Sequence, residues 1–253
     1  MRNTRRLSSN RFSALVAASL VASAWGDIRP LVAGPPQPAR PDATRQAYMQ
    51  THFAQVMVVH EAVIRGDLAA ARRPATWLVT HEGPEPLPEG AAPYVVEMRD
   101  AAGRTAAASS ILQAALGTAA MLKICGDCHR AIGVKPATQL VPPRLAASGV
   151  VGHMLAHQHA ADQMLQGLIT PSDALWREGA TGLSTSPLDD DAVPAEAKLG
   201  REAKASERRI HVLAVEARRV EAPAARAVFY GQILARCADC HASHPKVWGP
   251  SRH

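Results

Sequence analysis

The pentapeptide Cys-X-X-Cys-His occurs twice in this 253-residue chain, at residues 125–129 and 237–241, and the two copies contain all four cysteines. On a helix, positions i, i+3 and i+4 share one face. The spacing is the attachment signature of a c-type haem, in which two thiols bond to the haem vinyl groups and the histidine binds the iron. Two copies predict two covalent haems, with Cys125, Cys128, Cys237 and Cys240 as thioether residues and His129 and His241 as proximal iron ligands.

Two other kinds of site use pairs of cysteines at this spacing. Two such pairs can make a four-thiolate zinc site, and one pair can be a redox disulfide. A zinc ribbon needs no histidine directly after each pair, and a thioredoxin-like pair follows a strand in a βαβ pattern, which the sequence lacks. Haem explains all the cysteines and both adjacent histidines at once.

The amino terminus has the layout of a secretory signal peptide. Residues 1–11 carry four arginines, residues 12–21 form an apolar stretch of ten, and Ala22-Ser23-Ala24 fits a small-X-small cleavage site. Covalent haem attachment takes place outside the bacterial cytoplasmic membrane, so cleavage after Ala24 would leave a periplasmic protein. An uncleaved membrane anchor is the alternative, but a span needs roughly 20 apolar residues.

The net charge argues against a nucleic-acid partner. The whole chain has 28 Lys and Arg against 22 Asp and Glu, a formal charge of +6. Removing residues 1–24 takes away four arginines and no acids, so 24 basic side chains remain against 22 acidic ones. No segment shows the clustered Lys and Arg with interleaved aromatic residues that a nucleic-acid surface would need.

The spacing of the motifs predicts a duplicated chain. Cys237 follows Cys125 by 112 residues and His153 follows His52 by 101, which places an insertion of eleven residues in the second half, in the loop 183–194. Five prolines between residues 27 and 42 indicate an extended segment. We therefore expect a signal peptide at 1–24, a Pro-rich linker at 25–42, a first haem domain at 43–135, a linker at 136–144 and a second haem domain at 145–253.

Apolar residues at helical spacing predict four helices in each half, with the haem motif on the last. Asp67 and Ser172 are the expected N-caps of the second helix of each half. The third helices are predicted at 94–108 and 195–220, and the fourth at 110–129 and 223–242. No run of alternating β-branched residues is long enough for a sheet. The predicted fold class is all-α, with two tandem four-helix bundles that each carry a covalent haem on the last helix.

With these features the chain resembles the cytochrome c′ family, whose members are four-helix bundles with Cys-X-X-Cys-His near the end of the fourth helix. The late position of each motif in its helical unit, and residues 49–53 in the first helix, carry the resemblance. Family members often have an aromatic and a basic residue shortly after the haem histidine, where this chain has Ile132-Gly133 and His244-Pro245. The resemblance implies a haem in the interior of each bundle.

The ligand opposite each proximal histidine determines what such a haem can do. A second protein ligand gives a low-spin electron carrier, whereas an open face binds nitric oxide, carbon monoxide or peroxide. His52 and His153 are the predicted distal ligands, because the 101-residue repeat places these histidines at matching positions. Met49 and Met154 are the alternatives, and Met/His ligation would raise the reduction potential.

Two further histidines lie on the same helical stripes. In this register neither His60 nor His157 has a histidine counterpart in the other half. We therefore expect them to face solvent or to lie behind the ligands.

The predicted function is single-electron transfer by a periplasmic dihaem c-type cytochrome. Its partners would be periplasmic or membrane-bound redox proteins, and no stable membrane span is expected after signal cleavage. The alternatives are a five-coordinate haem protein that binds nitric oxide or carbon monoxide, and a subunit of a haem-dependent oxidoreductase. No catalytic constellation beyond the haem motifs is recognisable in the sequence, so enzymatic activity stays open.

Overall fold

Every regular element in the described part of the chain is an α-helix, which confirms the predicted all-α class. A computed structural model describes residues 43–83, 86–136, 149–185 and 200–243. The first half contains α1 (Ala43–Ile64), α2 (Leu68–Thr80), α3 (Ala92–Ala106) and α4 (Ile111–Ala131). The second half contains α5 (Gly149–Ile169), α6 (Asp173–Leu183), α7 (Arg201–Ala217) and α8 (Pro223–Ser243).

Several predicted segments lie outside the described residues. They are the signal peptide 1–24, the linker 25–42, residues 137–144 of the second linker, residues 186–194 of the insertion loop and residues 195–199 of the predicted seventh helix. The residues from Pro41 to His253 form one compact unit. The domain boundaries at 135 and 145 therefore stay predictions.

The second helix of each half begins at the predicted N-cap. The Asp67 carboxylate accepts a hydrogen bond from the Ala70 amide at 2.9 Å, and the Ser172 hydroxyl accepts one from the Leu175 amide at 3.3 Å. Such caps satisfy amides that lack a partner inside the helix. They fix where α2 and α6 begin, and therefore where α1 and α5 must end.

The helices contact one another in the same order in both halves. In the first half α1 packs against α2, α2 against α3, α3 against α4, and α4 returns to α1, and helices α5 to α8 repeat this order. Between the halves, α4 packs on α8, α4 on α5, and α1 on α8. If α1 to α4 are exchanged with α5 to α8, the same helix pairs are in contact. The helix contacts therefore have an approximate twofold symmetry, with the contact between α4 and α8 at its centre.

Small residues allow α4 and α8 to approach closely. A Cβ added to Gly231 on α8 would lie 2.9 Å from Cα of Leu116 on α4. Helix α4 is long and apolar enough to cross a membrane, but half of its apolar window is buried inside the protein. Burial of this kind is typical of a helix at the centre of a helical core.

A buried polar contact joins the halves near the middle of the molecule. Nε2 of His60 on α1 lies 2.9 Å from the hydroxyl of Tyr230 on α8, and that hydroxyl also lies 3.3 Å from the Ala161 carbonyl on α5. Both His60 and Tyr230 are buried. The Tyr230 hydroxyl donates to the carbonyl or to the imidazole, and burial lowers the pKa of His60 to about 4. His60 does not face solvent, because the second half covers it, and the other expectation, a place behind the distal ligand, stays a prediction.

Candidate functional site

Both Cys-X-X-Cys-His segments lie in the last turns of a helix, α4 in the first half and α8 in the second. All four cysteines are free thiols. Burial, with a contribution from Cys128, raises the pKa of Cys125 to about 12, and burial with a contribution from Cys240 raises the pKa of Cys237 to about 12. Because the thiolate is the form that attacks disulfides and binds zinc, these neutral thiols are poorly prepared for either reaction.

Each motif histidine donates its Nδ1–H to a main-chain carbonyl of the other half. Nδ1 of His129 lies 2.9 Å from the oxygen of Ile169, the last residue of α5, and Nδ1 of His241 lies 2.9 Å from the oxygen of Ile64, the last residue of α1. A carbonyl only accepts hydrogen bonds, so Nδ1 carries a proton, and in the neutral imidazole Nε2 is then the nitrogen with the lone pair. Metal-binding histidines commonly donate their other ring N–H in this way, which fixes the tautomer and the ring orientation.

A glycine inside the first motif permits this reciprocal contact. A Cβ on Gly126 would overlap the carbonyl oxygen of Leu168 on α5. In the second motif the matching residue is Ala238, and it faces Gly66, which has a φ of +72°. Each motif therefore meets the end of the other half's first helix, with a glycine on one side of each contact.

The reciprocal contact also defines the register of the repeat. Ile169 follows Ile64 by 105 residues, so His52 corresponds to His157. The predicted match of His52 with His153 is off by one helical turn. A stripe that repeats every 3.6 residues fits itself almost as well after a shift of four, so periodicity alone does not separate the two registers.

In the first half, His52 lies in a cluster of aromatic rings. Its ring centroid is 4.1 Å from that of Tyr48, 5.2 Å from that of Trp77 and 5.4 Å from that of His81. Nε2 of His52 is buried and has no hydrogen-bond partner among the described residues. Burial, with the nearby charges of His81 and Arg99, lowers the pKa of His52 to about 4. His52 is therefore a neutral imidazole at pH 7, the form that binds metals.

The second half replaces this aromatic cluster with three histidines and a glutamate. His153 and His157 lie on α5, and Glu207 and His211 lie on α7. One ligand nitrogen from each histidine lies within 4.8 Å of the others. Glu207 Oε1 lies 2.8 Å from Nε2 of His153 and 3.7 Å from Nε2 of His211. We call these four residues the three-histidine cluster.

The three-histidine cluster is largely buried. His157 is 9% exposed, His211 6% and Glu207 4%. Burial, with the neighbouring His153 and His211, lowers the pKa of His157 to about 3, so its imidazole is neutral. After burial itself, the Glu207 carboxylate is the main cause of the raised pKa of Cys240. His157 does not face solvent, and the other expectation, a place behind the distal ligand, stays a prediction.

The methionines proposed as alternative distal ligands do correspond in the observed register. Met154 follows Met49 by 105 residues. Met49 is 41% exposed, and Met154 is half-buried. The exposure of Met49 makes it a weaker candidate than His52, whose nitrogen is buried.

Four residues around these histidines were not predicted from the sequence: Trp77, His81, Glu207 and His211. One signal was present, because Glu207 and His211 are four residues apart, as are His153 and His157. Side chains at i and i+4 share a helical face, and two such pairs are typical of a metal site. The sequence could not show that the side chains of α5 and α7 would meet.

Among the described residues, the four cysteine sulfur atoms do not gather into a group with metal-ligand spacing. The tautomer of both motif histidines and the shared helical face of each motif suit covalent haem attachment with Nε2 as the iron ligand. Comparisons with protein-family models, with curated proteins and with solved structures gave no match.

Proposed function

We propose that the chain is a periplasmic dihaem c-type cytochrome, built as two tandem four-helix bundles with one covalent haem on α4 and one on α8. The observation that carries this proposal is the Nδ1 hydrogen bond of His129 and of His241, each 2.9 Å from a carbonyl, because it selects the ring tautomer in which Nε2 is the iron ligand. The closed order of contacts among α1 to α4, repeated among α5 to α8, supports the bundle architecture. The haems would supply one-electron redox chemistry.

The arrangement of the cysteines supports haem over its rivals. A four-thiolate zinc site needs four sulfur atoms around one ion, and the two pairs lie on separate helices without converging. A thioredoxin-like disulfide needs a depressed thiol pKa at a helix start, whereas these thiols have raised pKa values at helix ends.

We propose electron transfer as the function because the protein fixes both centres relative to one another. The carbonyls of Ile64 and Ile169 orient the motif histidine of the opposite half, and α4 packs directly on α8. A hydrogen bond from Nδ1 also makes the imidazole a stronger ligand. Periplasmic or membrane-bound redox proteins remain the proposed partners.

His52 is the proposed distal ligand of the first haem. Its Nε2 is buried without a partner among the described residues, and Tyr48, Trp77 and His81 surround its ring. An unpaired buried nitrogen costs free energy unless a partner satisfies it, and an iron would do so. His153, the ligand predicted for the second haem, differs from His52 because it contacts Glu207.

Gas binding is the second candidate function, and it applies to the second half. The three histidines there lie against one another and against Glu207. If they are held in this way, the second haem has no distal histidine and stays five-coordinate. Such a haem binds carbon monoxide or nitric oxide when reduced.

The proposal is tested by the haem content of the chain expressed with a c-type haem maturation system. We expect a mass increase of two haems that survives denaturation, and a pyridine haemochrome spectrum of the thioether type. A matched pair of variants, Cys125→Ala with Cys128→Ala and Cys237→Ala with Cys240→Ala, should each retain one haem. A chain that matures without covalent haem would overturn the proposal.

A further inference from the structure

The three-histidine cluster has the composition and spacing of a site for a divalent metal ion. Imidazole nitrogen is a preferred ligand of zinc, and zinc sites with three histidines take a carboxylate or water as the fourth ligand. The ligand nitrogens of His153, His157 and His211 lie within 4.8 Å of one another. In a tetrahedral zinc site the ligand nitrogens lie roughly 3.3 Å apart, so small side-chain rotations would complete the site.

The surroundings of the cluster favour a cation. Nε2 of His157 and Nδ1 of His211 are buried and have no hydrogen-bond partner among the described residues. Glu207 is 4% exposed, and its carboxylate oxygen lies 2.8 Å from Nε2 of His153, so a carboxylate borders the cluster. A divalent ion would satisfy both buried nitrogens.

We propose that His153, His157, His211 and Glu207 form a zinc-binding site in the second half of the protein, separate from both haem attachment sites. The three imidazoles ligate the ion, and the Glu207 carboxylate either completes its coordination or holds the ring of His153. The proposal gives His153 a role other than haem ligation. It does not depend on the haem proposal, because no residue of either Cys-X-X-Cys-His motif takes part.

The first half lacks this site, which makes it an internal control. In the register set by Ile64 and Ile169, His157 corresponds to His52, but His153 corresponds to Tyr48. Among the described residues, no second group of three or more metal-ligating side chains occurs at this spacing. One zinc ion per chain is therefore expected, not two.

The experiment measures zinc binding to the full-length, haem-matured protein after treatment with a chelator. Zinc chloride is titrated by calorimetry, and bound zinc and iron are counted by mass spectrometry of the elements. We expect one zinc per chain, with a zinc-edge X-ray absorption spectrum that shows imidazole ligands. The variants His157→Ala and His211→Ala should weaken zinc binding by at least about 100-fold, and Glu207→Gln by about 10- to 100-fold.

His159→Ala is the matched control, because His159 lies on α5 but outside the cluster. It should bind zinc as the unchanged protein does, and circular dichroism should show every variant folded. Zinc affinity that is equal in His157→Ala and in the unchanged protein would overturn the proposal. So would a protein that binds no zinc while His157→Ala converts a low-spin haem to high spin, because the cluster would then serve the haem iron.

Discussion

The two halves of this protein have the same helices and the same Cys-X-X-Cys-His ending, but they differ in what surrounds the corresponding histidines. In the first half, His52 lies among the rings of Tyr48, Trp77 and His81. In the second half, His157 lies among His153, His211 and Glu207. The shared part of the fold positions the haem motifs, and the parts that differ define two chemically distinct environments.

We infer from this difference that the two halves have different chemical roles. A neutral histidine among aromatic rings suits a distal iron ligand, whereas three histidines with a buried carboxylate suit a separate cation. The contact that the halves share is the reciprocal one, in which His129 depends on α5 and His241 on α1. Neither half can therefore be understood as an independent haem domain.

The largest expected effect is in the spectra of the two single-haem variants. If His52 is the distal ligand as proposed, the first haem that remains after Cys237→Ala and Cys240→Ala should be low-spin and unaffected by carbon monoxide. With Cys125→Ala and Cys128→Ala the remaining second haem should be high-spin when reduced and should bind carbon monoxide. Magnetic circular dichroism before and after carbon monoxide checks both. Identical spectra for the two variants would show that the halves are not divided in this way.

The next largest effect is on stability, and it uses the difference between Gly126 in the first motif and Ala238 in the second, where each motif contacts the opposite half. Gly126→Ala forces a methyl group into the Leu168 carbonyl, which is main chain and cannot rotate away. We expect a loss of about 3 kcal/mol in the free energy of unfolding. The counterpart change Ala238→Gly should cost about 1.5 kcal/mol, since it adds backbone freedom and removes one buried methyl group. Urea unfolding of both variants measures the difference, and equal losses would contradict the assigned contact.

Much of the fold could be predicted from the sequence, since it depends on local signals. The caps Asp67 and Ser172 were predicted correctly, and they mark where α2 and α6 begin. The site was harder, because it depends on which helices meet. A four-residue shift preserves a helical stripe, so the sequence matched His52 with His153. The reciprocal carbonyls and the partners on α7 exist only after the halves pack together.

The two halves also differ at His60, which corresponds to Leu165 in the second half. Burial lowers the pKa of His60 to about 4 in the folded protein, against about 6.5 in the unfolded chain. Between pH 6.5 and pH 4 the imidazole of His60 is therefore protonated in the unfolded chain but neutral in the folded protein. The free energy of unfolding decreases as the pH falls below 6.5. The loss from this one group at pH 5 is about 2 kcal/mol.

The variant His60→Leu isolates that contribution by copying the second half. Between pH 7 and pH 5 the free energy of unfolding should decrease in both proteins. The decrease should be about 2 kcal/mol smaller in His60→Leu than in the unchanged protein. Urea titrations at the two pH values give the comparison directly, with Tyr230→Phe as the control that keeps the histidine. The same pH dependence in His60→Leu and in the unchanged protein would mean that His60 is not the group responsible.

The smallest expected effect distinguishes the two helix caps. Asp67→Ala and Ser172→Ala each remove a hydrogen bond to a partly buried amide and should cost about 1 kcal/mol. Asp67 also carries the negative charge at the start of α2, which has no acidic residue in its first turn, whereas α6 keeps Asp173 there. Asp67→Ala should therefore cost a few tenths of a kcal/mol more, and added salt should reduce that excess. Thermal unfolding at low and high salt tests this, and an excess that persists in 1 M salt would point to lost packing instead of charge.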